Sequence, residues 1–119
     1  MRQLTPIEIN RIKLLTEKSV EICLIEPTRT GLDKSIMDAT GSVRTYLKAN
    51  NIHDFEFQKQ GQEYKIQIDS FLIGSKELIN SVSSLYRPIT KKGDPRIWFK
   101  GLGAYSKAND ILGIIAFDK

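Results

Sequence analysis

At 119 residues and a formal net charge of +4, the chain has room for a single hydrophobic core and little more. Its 40% hydrophobic and 27% charged residues exclude a disordered or fibrous protein, and no apolar run approaches the ~20 residues of a membrane-spanning helix. The one cysteine, Cys23, excludes an internal disulfide framework and fits a reducing compartment, so the expected location is the cytoplasm.

Taken in order, Thr5-Pro6-Ile7-Glu8 is a helix start, with Thr5 as N-cap, Pro6 in the first turn and Glu8 closing a capping box. Ile9, Ile12 and Leu15 share a face, which predicts a helix from Pro6 to about Lys18. Charges at Arg2, Glu8, Arg11 and Lys13 leave no signal-peptide hydrophobic core. Alternation from Val20 to Ile25 predicts a short strand ending before Pro27. Cys23 falls in it and reads as a small packed residue, since no nucleophile motif surrounds it. Thr28–Asp33 reads as a turn. The positions Ile36, Thr40, Val43 and Leu47 recur at helical spacing, so a second helix is expected over Lys34–Ala49, with Gly41 as a point of division. Lys34, Asp38 and Lys48 lie opposite that stripe and read as solvated.

The clearest period-two signal follows. HDFEFQ, KQGQ and EYKIQID read as strand, turn and strand, with Phe55 and Phe57 on one face and Tyr64, Ile66 and Ile68 on the apolar face across the turn at Gly61. Phe71–Ser84 carries no decisive pattern. Arg96–Phe99 is predicted as a strand, Leu102–Ala108 as a helical turn or loop, and Ile111–Phe117 as a last strand after a turn at Asn109-Asp110. That last apolar run stops two residues short of the end, as expected of a piece cut from a longer protein.

Charge is concentrated in one place. Ser84–Gly101 holds Arg87, Lys91, Lys92, Arg96 and Lys100 against Asp94 alone, so acids and bases balance over the rest of the chain. Cations beside an aromatic such as Trp98 suit a polyanion, because they release counterions from phosphates while flat side chains meet sugar or base. The structural alternative is a solvated turn leading into a core strand with Trp98 buried. A catalytic outline is also present: Asp54, then Glu63 and Lys65, has the D…E-x-K order of metal-dependent nucleases. There two carboxylates hold Mg²⁺ and a lysine on the same strand face helps generate the attacking hydroxide. Any polar hairpin yields such a triplet by chance, and His53 stands where a proline usually precedes the aspartate. A single histidine and a single cysteine exclude a zinc site, and Gly101-Leu102-Gly103 lacks the spacing of a phosphate-binding loop.

Two segments, Thr30–Ile66 and Ser84–Phe117, resemble the N-terminal region of proteins grouped with MvaI/BcnI-type and EcoRII-type restriction endonucleases. The T-G-L-x-K-S, I-H-D-F and K-K-G-D-P-R-I-W runs carry the likeness, which spans well over half of the chain. From the EcoRII side the resemblance implies a DNA-binding pseudobarrel that reads a target sequence, with Arg96, Ile97 and Trp98 near its end. From the MvaI side it implies a nuclease centre on an H-D-x-E-x-K strand. This chain has His53, Asp54 and Glu56, but Gln58 stands where the lysine belongs, which speaks against cleavage unless Glu63 and Lys65 serve instead.

The expectation is therefore one α+β domain, spanning 1–119, with one or two helices packed on a mainly antiparallel, barrel-like sheet. Its expected work is non-catalytic recognition of double-stranded DNA within a restriction-endonuclease-type protein whose nuclease domain lies further along. In that reading Lys91, Lys92 and Lys100 neutralise phosphates, Arg87 or Arg96 reaches a guanine edge, and Lys59 and Gln60 make a second contact. No cofactor is needed for binding. Two alternatives stand beside it: an Mg²⁺-dependent nuclease using Asp54, Glu63 and Lys65, and an interaction module whose basic loop docks on an acidic protein.

Overall fold

The computed structural model describes residues 3–16, 22–73, 78–107 and 109–116. Helix α1 spans Pro6–Thr16 and opens with the expected capping box: Glu8 N donates to Thr5 Oγ1 at 3.2 Å and Thr5 N to Glu8 Oε1 at 2.9 Å. The end expected at Lys18 lies outside the described residues, as do Val20 and Glu21 of the first strand. That strand, β1, runs Ile22–Ile25. The turn expected at Thr28–Asp33 is a five-residue helix, α2 (Arg29–Asp33), whose N-cap Thr28 accepts from Gly31 N. Gly31 has no room for a side chain, because a Cβ there would run into the carbonyl of Ile36.

The helix expected over Lys34–Ala49 divides into two different elements. Ile36–Asp38 is a strand, β2, and only Gly41–Ala49 is helix, α3. Ser35 turns the chain at φ 57°, and β2 pairs antiparallel with β5 (Arg96–Phe99) in the register Ile36–Trp98, Met37–Ile97 and Asp38–Arg96. Ile36 fits the helical period only by coincidence of spacing, and Gly41 starts the helix. Val43 and Leu47, from the predicted stripe, are buried together with Tyr46.

The expected hairpin over His53–Asp69 is absent. Phe55–Phe57 and Gln62–Tyr64 are single 3₁₀ turns, the first capped by Asp54, whose carboxylate accepts from Glu56 N at 3.0 Å. Phe55 is buried, but Phe57, predicted on the same face, is 84% exposed. The true hairpin lies just downstream: β3 (Ile66–Ile73) pairs with β4 (Leu78–Tyr86), and the two strands hold all the described residues of the stretch without a decisive pattern. Strand β4 escapes recognition because Ser81, Ser83 and Ser84 hold buried positions. Two of these hydroxyls are satisfied locally, Ser81 Oγ on Lys100 O at 2.7 Å and Ser83 Oγ with Ser70 Oγ at 2.6 Å.

Helix α4 (Leu102–Tyr105) is the expected single turn, and β6 (Leu112–Ile115) the expected last strand. The architecture is α+β with antiparallel pairing throughout. One sheet has the order β2-β5-β4-β3, and a separate ribbon joins β1 to β6. Among the described residues these two sheets do not close into a barrel. The core lies between the four-stranded sheet, α3 and the ribbon. It gathers Cys23, Met37, Ala39, Val43, Tyr46, Leu47, Phe55, Leu85 and Ile97. Among the described residues, none from α1 belongs to it. The Tyr46 hydroxyl accepts from Ala116 N at 2.8 Å, which ties α3 to the end of β6.

Candidate nucleic-acid interface

Strand alternation gives the four-stranded sheet two unlike faces. Leu85, Ile97 and Met37 point to the core, whereas Asp38, Tyr86, Arg96 and Trp98 fall on the opposite face. Trp98 is half-buried on that outer face, so the strand it stands on is core-lining without Trp98 itself being core.

At one end of this sheet two loops come together that are far apart in sequence. Gln58–Gly61 lies against Arg87–Gly93. Gly61 N donates to Arg87 O at 2.8 Å, Arg87 Nε donates to Gly93 O at 2.8 Å, and an Arg87 Nη donates to Gln58 O at 3.3 Å. Gly93, at φ 72°, closes over Gln60; a Cβ there would overlap the Gln60 side chain. Gln58 is the pin beneath. It is 8% exposed, its Nε2 donates to Leu85 O at 2.8 Å and to Tyr64 O at 2.9 Å, and its Oε1 lies 3.0 Å from His53 Nε2. His53 in turn meets Phe55 edge-on, ring centroids 4.5 Å apart.

The loop pair thus brings Lys59 and Gln60 to the basic stretch, as a two-part contact surface requires. Lys59 is exposed, with Nζ 5.4 Å from the centre of the Tyr64 ring, and Lys92 is exposed in the turn Lys91–Gly93 at φ 58°. Two large apolar side chains stand out beside these cations, Phe57 at 84% and Ile89 at 78% exposure. Arg87 takes a different part from a base-reading guanidinium: two of its nitrogens are committed to loop carbonyls, and it staples the loops. Lys100 also stands apart. It follows the far end of β5, about 13 Å along the strand from Arg96 at ~3.3 Å per residue.

Arg96 begins β5 immediately after the loop. Its Nε is buried with no hydrogen-bond partner and lies 3.7 Å from Asp38 Oδ1, its cross-strand neighbour. Asp38 is exposed, as expected, but pairing between strands 58 residues apart, invisible to a local pattern, also brings it beside Arg96. The two line an open cleft of about 360 Å³ with Ala39, Arg44, Asp94 and Pro95.

The carboxylate–lysine outline does not assemble as anticipated. Asp54 caps one 3₁₀ turn and lies 3.5 Å from Lys48 Nζ, Glu63 sits in the other turn, and Lys65 follows that turn. No shared strand face carries Glu63 beside Lys65, because β3 begins only at Ile66. Among the described residues no three His, Cys, Asp or Glu side chains are grouped to hold a metal ion. Gln58 is a structural pin whose amide reaches two carbonyls.

Compared with family models, curated proteins and solved structures, the chain gives no match.

Proposed function

We propose that this domain binds double-stranded DNA, with the paired loops Gln58–Gly61 and Arg87–Gly93 as its anchoring surface, and that it serves as the recognition part of a restriction-endonuclease-type protein. One observation carries the reading: two separated segments, each with exposed lysine, are locked into one surface by Arg87, Gln58 and Gly93. A solvated turn has no need of that bracing, whereas phosphate contacts gain from cations held in fixed register. Phe57 and Ile89 add apolar surface of the sort that meets sugar or base between phosphate contacts. The antiparallel sheet with its loops gathered at one end is compatible with a half-open, barrel-like DNA clamp. Lys91 and Lys100 extend the phosphate contacts in this reading, and a nuclease domain elsewhere in the protein supplies the cutting.

The test is titration into a labelled random duplex at low and moderate salt, with and without Mg²⁺. Binding should weaken steeply with salt and leave the DNA intact. In Lys59→Ala/Lys92→Ala the slope of log affinity against log salt should fall by about two, since each phosphate contact contributes roughly 0.9. Unchanged affinity and slope in the double variant would sink the proposal. Failure of the wild-type chain to shift any duplex at low salt would do the same, and would leave the acidic-protein partner as the reading to pursue.

A further inference from the structure

The cleft beside the loop pair has a composition unlike the loops. Arg44, Arg96, Asp38 and Asp94 all line it, so its formal charges cancel. A phosphate entering there would meet two carboxylates as well as two guanidiniums. Balanced charge therefore selects against a bare polyanion and favours a ligand edge that presents acceptors and donors side by side.

Arg96 is poised for such an edge. About a fifth of its side chain remains accessible, although the Nε is itself buried, and Asp38 Oδ1 lies 3.7 Å from that nitrogen, beyond hydrogen-bonding reach. The carboxylate is close enough to orient the guanidinium and too far to consume its donors. Arg87, by contrast, has spent two nitrogens on Gly93 O and Gln58 O. The place is also right. Only Asp94 and Pro95 separate Arg96 from the Lys91–Gly93 turn, and Ala39 N donates to Pro95 O at 2.9 Å, fastening the cleft wall to that loop.

Resting on the reading of the loops as a DNA anchor, we propose that this cleft reads a G·C base pair from the major groove, Arg96 donating to guanine and Asp38 accepting from the amino group of cytosine. Guanine is the one base that offers two adjacent acceptors, O6 and N7, to a planar fork, and its partner cytosine offers the N4 amino donor to a carboxylate. Arg44, exposed on α3, and Asp94 flank the pair and steer it.

Selection from a randomised duplex library tests this with the full chain. The wild type should enrich sites with at least one invariant G·C pair. Arg96→Lys, which keeps the charge but not the fork, should lose that preference by roughly tenfold or more, the scale of one bidentate contact. Asp38→Asn should relax the same position, and neither variant should alter the salt slope of random-duplex binding. Should Arg96→Lys fail to fold, as judged by its thermal melt, the exposed Arg44→Gln provides the second reading and should relax the preference at the same pair. Steep salt-dependent binding with no G·C position enriched overturns the base-reading cleft and leaves the DNA anchor standing. Wild-type preference retained in the variants also overturns it. Absence of any wild-type binding removes both.

Discussion

The loop pair and the Asp38–Arg96 cleft lie at the same end of one sheet, yet they treat charge in opposite ways. In the loops, Lys59 and Lys92 stand exposed and the work of holding them is done by Gln58, Gly93 and the staple Arg87. In the cleft, two cations and two carboxylates line one space, and the buried Nε of Arg96 has no hydrogen-bond partner. In the proposed DNA-binding reading, uncompensated charge on a braced surface gives strength without discrimination, because every duplex carries the same phosphates. In the same reading, the balanced cleft gives discrimination with little added strength.

That contrast is most severely broken by removing the pin. Gln58→Leu strips three polar contacts from a buried site and leaves the carbonyl of Leu85 without its donor. Unfolding free energy should fall by about 2–4 kcal/mol, read from denaturant titration. If the folded fraction of this variant binds random duplex as tightly as the wild type, the bracing has no bearing on anchoring. Arg87→Lys is a milder probe. A point charge cannot span Gly93 O and Gln58 O as the fork does, so a loss of about 1–2 kcal/mol is expected. Random-duplex affinity should drop with it while base preference persists; a change in preference alone would place Arg87 among the reading residues after all. The smallest effect lies outside both regions. Burial pushes the Cys23 thiol up, against a weaker opposing hydrogen bond from Ser42. The folded state then holds its proton more tightly than the unfolded one, and stability should decline modestly as pH climbs above the ordinary thiol range toward the raised folded value. Cys23→Ala should flatten that alkaline decline.

Local chemistry was legible wherever it settled structure by itself. Thr5 and Glu8 announce their capping box, Arg96–Phe99 reads as a strand, and the basic stretch Ser84–Gly101 stands out by composition. The failures share one cause, competition from distant partners. Ile36 obeys a helical period but finds a strand partner in Trp98. The alternation HDFEFQ has a strand's period, yet Asp54 bonds its own backbone and Gln58 turns inward to Leu85, so the segment folds as turns. In β4 the serines mask a nine-residue strand, because the hydroxyls of Ser81 and Ser83 find partners on neighbouring segments that hydropathy does not register. Of the site, the cations were visible and their grouping was half visible: Lys59 joins Lys92, but Lys100 and Arg87 part company with them. Asp38 could be assigned only once β2 and β5 were seen side by side.

The ribbon of β1 and β6 carries a kinetic consequence. Ile22 pairs with Ile115, so closing it ties together chain segments more than ninety residues apart, whereas β3 and β4 are neighbours in sequence. Loop-closure entropy makes the distant pairing the costlier of the two to form. During synthesis Ile22–Ile25 has no strand partner until Leu112–Ile115 has emerged, so that edge is exposed for as long as the intervening chain takes to be made.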